Sequence, residues 1–307
     1  MELRTLLNKA IERRHSLVSI TNCLRLVNGK GDACDGLLID RYHQHVQIQV
    51  LHERWSKRVD EIAQILISMM PVDYLIVKSR QGLNLSVRVL KQGDPKTIVD
   101  ENGLKFEVDL NDGLNCGLFL DMRANRRMVA AACRAKKVFN GFAYTCSFGL
   151  YARAHGATEV INTDISKRTL KKAEDNYRLN GYKVSPDEFI AADTLAYLNR
   201  AVKKQNLFDI IILDPPSFSR HEGKTFQVKR DMPLLIQTAV EVLRPKGRLF
   251  VSTNYSEISH AQLEEMLAKS LNTRRVEKLE RVGQDQDFPG SNSFKESYLS
   301  GLWAKFL

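Results

Sequence analysis

The sequence predicts an α/β protein: a doubly wound parallel sheet ending in an antiparallel strand, preceded by a small α+β domain. Three observations predict it. From residue 136 onward, short apolar runs alternate with helix-length segments, the rhythm of strands joined by crossover helices. Before that point the runs alternate apolar and polar residues between tight turns, as half-buried antiparallel strands do. With 307 residues, the chain can form two domains of roughly 100 to 200 residues, each with its own core. The division is expected near Asp112-Gly113, giving domains 1–112 and 113–307.

The first elements follow from periodicity. The charged, amphipathic opening "MELRTLLNKAIERRHSLV" reads as one helix to about residue 18. "CLRLV" is a strand, and "GLLIDRYHQHVQIQV" is two strands around a His-Gln turn; His43 and His45 are expected to be solvated there. A helix follows in "SKRVDEIAQILISMM", then strands in "DYLIVKS" and "LSVRVLK". "KTIVDENGLKFEVDL" reads as a hairpin turning at Glu101-Asn102-Gly103. In the second half, "KKVFNGF", "EVINTDI", "DEFIAAD", "FDIIILD" and "GRLFVST" are strands, each followed by a helical stretch. "AQLEEMLAKSL" is a further helix, and "RVEKLERV" with "SYLSGLWAKFL" forms a hairpin at the sheet edge.

Composition narrows the function classes. No apolar run reaches the roughly 18 residues that span a bilayer, and the N-terminus is no signal sequence, so a soluble, cytoplasmic protein is expected. The five cysteines (Cys23, Cys34, Cys116, Cys133, Cys146) contain no CxxC pair, and His43, His45 and His52 lie in no ligand-spaced cluster. Neither a disulfide framework nor a structural metal is expected. The 46 Lys and Arg against 36 Asp and Glu give a net charge of +10, which favours a polyanionic partner over a neutral metabolite. Nothing in the sequence indicates an oligomeric state.

In an open parallel sheet, ligands bind outside the carboxyl ends of the strands. After the first strand comes "NGFAYTCSFG", small residues leading into a helix whose amides suit an anionic or carboxylate group. The second strand ends in Asp164, about 20 residues on, where a carboxylate typically meets ribose hydroxyls. The third ends in Asp193 and the fourth in Asp214. Each Asp alone is equally a helix N-cap; three at successive equivalent places favour a nucleoside site. The first loop lacks G-x-G-x-x-G, which disfavours NAD.

"GKGDACDGLLIDRY", "GLFLDMRANRR", "VFNGFAYTCSFGLYARAHGATEVINTDIS" and "FDIIILDPPSFS" together resemble the bacterial large-subunit rRNA methyltransferases that make 5-methylcytosine or N7-methylguanine in 23S rRNA. The resemblance runs from about residue 17 to the end. It implies a Rossmann-like domain using S-adenosylmethionine (SAM), with no metal. It assigns the cofactor to Asn140, Phe142, Tyr144 and Thr145 in the first loop, to Asp164 with Ile165 (ribose), to Asp193 with Thr194 (adenine amino group), and to Asp214. Asp121 and Arg123 would border the methionine end, while Arg126 and Arg127 read as surface charge or phosphate contacts. Many members begin with an RNA-binding PUA domain, for which this chain has no room, and Cys146 stands where the family usually has Gly.

The same resemblance implies the chemistry. An Asp-Pro-Pro-aromatic turn offers oxygens to a base edge and a ring to its face, and Asp214, Pro215, Pro216 and Phe218 fit it with Ser217 inserted. A strand stopped by prolines, with Phe218 in the core, is the plain alternative. Methylating C5 of cytosine requires a Cys thiolate, which 5-methylcytosine relatives carry after the fifth strand; this chain has Thr253 and Asn254 there. That points to a ring nitrogen, N7 of guanine, with 5-methylcytosine formation as the alternative. A non-catalytic RNA-binding module of the same fold is the competing class. "RHEGKTFQVKRD" (220–231) reads equally as a lid on RNA phosphates or as a solvated loop.

Overall fold

The computed structural model describes residues 2–81, 84–113, 115–221, 224–290 and 298–307. The chain divides into two compact units, Met1–Arg123 with Asp285–Glu296, and Ala124–Gln284 with Ser297–Leu307.

The first unit opens with α1 (Leu3–Glu12), followed by β1 (Cys23–Asn28), β2 (Leu37–Tyr42), β3 (His45–Val50), α2 (Glu53–Ser56), α3 (Val59–Met69), β4 (Tyr74–Gln81) and β5 (Asn84–Lys91). These five strands form one sheet in chain order, antiparallel except where α2 and α3 carry the chain from β3 to a parallel β4. β6 (Lys96–Glu101) and β7 (Leu104–Asp109) make the expected hairpin. Its turn residues Asn102 and Gly103 have φ of 52° and 79°, the two left-handed positions that a tight, twisted hairpin requires.

Two expectations for this unit need correction. The first helix stops at Glu12 instead of reaching residue 18, because Arg14 turns inward. It is 2% exposed, pairs with Asp32 at 2.6 Å and donates to the Arg25 carbonyl at 2.9 Å. His45 is not solvated. It is the first residue of β3, 6% exposed, with Nε2 2.8 Å from the Asp94 carbonyl, and His43 alone takes the left-handed turn position at φ 56°.

The segment from Asp285 is held in this unit by charge. Arg123 pairs with Asp285 at 2.8 Å and with Asp287 at 2.6 Å, and the Arg25 N–H donates to Asp287 at 2.8 Å. Asp287 is fully buried, and burial pushes its carboxyl up to about 6 against the opposing pull of Arg123. Removing one partner of such a pair strands a buried charge, at about 3–5 kcal/mol.

The second unit begins inside α4 (Arg123–Ala130), at Ala124. Its elements are β8 (Lys137–Gly141), α5 (Ser147–Ala154), β9 (Glu159–Asp164), α6 (Lys167–Leu179), β10 (Phe189–Ala191), α7 (Thr194–Lys203), β11 (Phe208–Leu213), β12 (Phe218–His221), β13 (Lys224–Gln227), α8 (Val228–Glu241), β14 (Leu243–Thr253), α9 (His260–Lys269), β15 (Val276–Val282) and β16 (Ser300–Phe306). Seven strands form one sheet in the order β10-β9-β8-β11-β14-β16-β15. All pairings are parallel except those of β16, which lies antiparallel between β14 and β15. The order reverses between β8 and β11, the switch point at which such sheets bind ligands. Below it the core is apolar: Phe139, Phe208, Ile211, Leu213, Val251, Leu302 and Phe306 are fully buried, each worth roughly 1.5–3 kcal/mol. Arg126 is not surface charge; it is 1% exposed and lies 5.8 Å from the Tyr151 ring, whereas Arg127 is exposed. Among the described residues, no helix is long and apolar enough to cross a membrane.

Candidate active site

The loop after β8 is built on strained backbone. Phe142, Tyr144 and Cys146 have φ of 56°, 50° and 58°, a left-handed conformation that costs a side-chain-bearing residue of order 1 kcal/mol or more. Cys146 thus adopts the conformation that Gly takes without cost. Gly141 precedes them, and a Cβ there would sit 2.6 Å from Cγ2 of Thr194.

Hydrogen bonds hold the loop against the neighbouring strand ends. The Phe142 N–H donates to Thr194 Oγ1 at 3.1 Å, and Thr194 Oγ1 lies 3.1 Å from Thr163 Oγ1. Ala143 N–H donates to the Thr163 carbonyl at 2.9 Å, and Tyr144 N–H to Oδ2 of Asp164 at 2.9 Å. Cys146 N–H donates to the Ala143 carbonyl at 2.7 Å. Those N–H groups are therefore committed to acceptors of the protein. Below the loop, Asn140 donates to Asn162 at 2.9 Å, and both are buried.

Asp164 is the centre of this arrangement. Its second oxygen accepts from the Ser166 N–H at 2.9 Å, in the turn that starts α6. Burial raises its carboxyl above the usual range, opposed by the N–H groups of Ser166, Tyr144 and Ile165. Both oxygens are fixed, yet each keeps lone-pair capacity for a hydroxyl donor. Ile165 beside it is 36% exposed, an apolar surface for the face of a flat ring. Asp193 has a different setting. β10 ends two residues earlier, at Ala191, and Asp193 caps α7 by accepting from the Ala196 N–H at 2.8 Å. It is exposed, so its other oxygen can still meet a ligand.

The turn after β11 joins the turn after β14. Asp214 Oδ1 accepts from the hydroxyl of buried Ser252 at 2.7 Å, and the Ser217 hydroxyl meets Oδ1 of Asn254 at 2.8 Å. Pro215 is buried and Pro216 exposed. Phe218 is 49% exposed, so it is not the core residue of the plain alternative. Thr253 is fully buried, with Oγ1 accepting from the Tyr255 N–H at 3.2 Å. Ser217 belongs to the turn motif itself, whereas Ser252 carries no local sequence pattern that marks it; the pairing of β11 with β14 brings it here.

Asp121 and Arg123 belong to the first unit, where the Asp121 carbonyl accepts from the Asp285 N–H at 3.3 Å and Arg123 holds the two aspartates already described. The basic segment after Phe218 is the hairpin β12–β13 running into α8, and residues 222 and 223 lie outside the described residues. Lys229 pairs with Glu257 at 2.8 Å and Arg230 with Asp231 at 2.7 Å, with both cations exposed. All five cysteines are buried. Burial pushes the Cys34 and Cys116 thiols up to about 11 and Cys133 to about 12, and raises Cys146 well above its ordinary value with help from Asp164.

Comparison with known proteins agrees with this geometry. A family model for S-adenosylmethionine-dependent methyltransferases matches residues 73–297. Ribosomal RNA large subunit methyltransferase I of Shewanella frigidimarina is 32% identical over 92% of this chain and 74% of that protein; its namesake from Aeromonas salmonicida is 31% identical over 91% and 73%. The crystal structure of SMU.776 complexed with SAH superposes with a TM-score of 0.91 at 26% identity, covering 98% of this chain and 80% of that one. With a carboxylate at the second strand end, a strained loop at the first and an antiparallel last strand set between β14 and β15, the chain belongs to the S-adenosylmethionine-dependent methyltransferases, in the group of ribosomal RNA large subunit methyltransferase I.

Proposed function

We propose that this enzyme methylates a base of large-subunit (23S) rRNA at a ring nitrogen, N7 of guanine. The observation that carries the choice of atom is the turn after β14. Thr253 ends β14 and Asn254 begins the turn, Asn254 is tied to Ser217 of the Asp-Pro-Pro turn, and every cysteine is buried with a raised pKa wherever a shift is resolved. Attack on C6 of a pyrimidine requires an accessible thiolate. The N7 lone pair lies in the plane of the base and needs no proton removed.

The residues present fit SAM. The Asp164 carboxylate would hold the ribose hydroxyls, Ile165 would cover the adenine, and the exposed oxygen of Asp193 would accept from its amino group. Bound there, the cofactor supplies a sulfonium-activated methyl group. The remaining work of the protein is alignment and exclusion of water, worth several kcal/mol when two reactants are held in line. Asp214 and Pro215 fix the turn, and half-exposed Phe218 offers a ring on which a splayed-out base can stack for about 1–3 kcal/mol.

Mass mapping of nucleosides in rRNA from a deletion strain tests the reading; loss of 7-methylguanosine at one position is expected, and loss of 5-methylcytosine instead would refute the choice of atom. Replacing Cys116 and Cys146 by Ser, singly and together, is expected to leave transfer to large-subunit RNA within a few fold of wild type. An inactive variant that still binds cofactor, with a covalent adduct trapped on 5-fluorocytosine RNA, would restore the pyrimidine reading. Capture of RNA is expected to lean on the basic surface. Changing Lys224, Lys229 and Arg230 together to Gln should weaken binding and flatten the salt dependence by about 0.7 for each single-strand phosphate that the protein no longer neutralises. The exposed ion pairs broken with Lys229 and Arg230 contribute only about 0–1 kcal/mol each to stability, so an unchanged salt slope would remove this segment from the RNA surface.

A further inference from the structure

We propose that Phe226 is a positioning residue that sets the hairpin β12–β13, and through it Phe218, relative to the cofactor loop. The inference rests on the base-methylation reading and adds to it a residue that neither the sequence pattern nor the turn motif marks. The loop is a bonded, closely packed partner: the Phe142 N–H donates to Thr194 Oγ1 at 3.1 Å, and Gly141 before it has no room for a Cβ. The Phe226 ring lies on the Phe142 ring, with centroids 5.6 Å apart at 47°, and both rings pack against the core of the sheet.

The register of the hairpin turns that packing into a lever. Phe218 pairs with Gln227 and Ser219 with Phe226. Successive residues of a strand face opposite sides, so Phe226 anchors one face while Phe218 is presented on the other, half-exposed. At its base the hairpin is closed by the Val228 N–H donating to the Ser217 carbonyl at 3.2 Å, directly beside the Asp-Pro-Pro turn. An isolated two-stranded hairpin is marginal in water and needs packing to hold one orientation. Among the described residues, the tilted contact of Phe226 with Phe142 and its packing on the core of the sheet supply that support on the anchored face.

The test compares Phe226→Ala with wild type in methyl transfer to large-subunit RNA, cofactor titration and amide hydrogen exchange. The expected result is a fall in kcat of tenfold or more, cofactor affinity within about twofold, and amides of 218–221 and 224–227 exchanging at least tenfold faster while those of β11 keep their protection. Phe226→Leu, which restores an apolar anchor, should recover most of the rate. Phe218→Ala and Phe218→Ala/Phe226→Ala should be equally impaired, because Phe226 acts through Phe218. Additive losses in the double variant would overturn the proposal, as would cofactor affinity falling in step with kcat. Should Phe226→Ala fold poorly, Phe226→Thr removes the ring and most of the apolar contact while keeping a strand-forming residue and is read identically. The exchange measurement needs no RNA: unchanged hairpin exchange sinks the inference on its own, whereas a wild-type enzyme that leaves large-subunit RNA unmethylated sinks the functional reading.

Discussion

Asp214→Ala is expected to lower the rate of methyl transfer by on the order of 10²–10³, the size of losing one preorganised polar group at a reaction centre, while cofactor affinity changes far less. Asp214 leaves β11 directly into two prolines and receives the hydroxyl of Ser252 at 2.7 Å, which ties the ends of β11 and β14 together. Truncation removes the oxygen proposed to meet the base and strands a fully buried hydroxyl, at about 1–3 kcal/mol of stability. Asp214→Asn keeps an acceptor for Ser252 and is expected to stay within about tenfold of wild type. Steady-state rates beside thermal melts separate the two effects. A folded Asp214→Ala enzyme working at the wild-type rate would remove the turn from the mechanism.

Asp164→Ala should weaken SAM binding by about 1–3 kcal/mol, roughly 5- to 150-fold, the range for hydrogen bonds made to a charged group. Asp164→Asn is no gentle substitute. Both carboxylate oxygens accept backbone N–H groups, from Tyr144 and from Ser166, so an amide NH2 must face one of those donors. The pH dependence has a definite sign. Burial raises the Asp164 pKa in the free protein, so its ionised form costs folding free energy; this stability contribution is complete below the ordinary carboxylate value of 3.8 and is lost as pH rises through the raised one. Hydroxyl donors favour the ionised form. Cofactor affinity is therefore expected to be full above the raised pKa and to fall as acid protonates Asp164, a dependence that Asp164→Ala abolishes. Calorimetric titration across that range checks both statements, and unchanged affinity in the folded variant would move the ribose site elsewhere.

Local pattern made much of this molecule legible. β8, β9 and β11 are short strand-length runs closed by Gly or Asp, and "GRLFVST" is the apolar end of β14, which itself starts earlier, at Leu243, across Pro245 and Gly247; Asn102-Gly103 is the pair that a tight hairpin turn favours. The aspartates stand out because each closes or follows such a run. β10 was legible only as to place: it is three residues long, and Asp193 lies beyond its end as a helix cap, which short-range periodicity cannot distinguish from a strand terminus.

The amino-acid sequence by itself thus determined the class of fold, the alternation of elements, the place of the loop after β8, the Asp-Pro-Pro turn and the absence of a cysteine after β14. Only the tertiary structure decided that the aspartates divide into a half-buried carboxylate and an exposed cap, and that Ser252 and Ser217 complete the second turn. It also decided that Arg123 answers to Asp287, 164 positions away along the chain, and that Phe226 rests on Phe142. The physical reason is range. Periodicity and turn chemistry act over a few residues and are written in neighbouring letters. Burial and charge pairing depend on which distant strands the sheet sets side by side, and no local pattern carries that information.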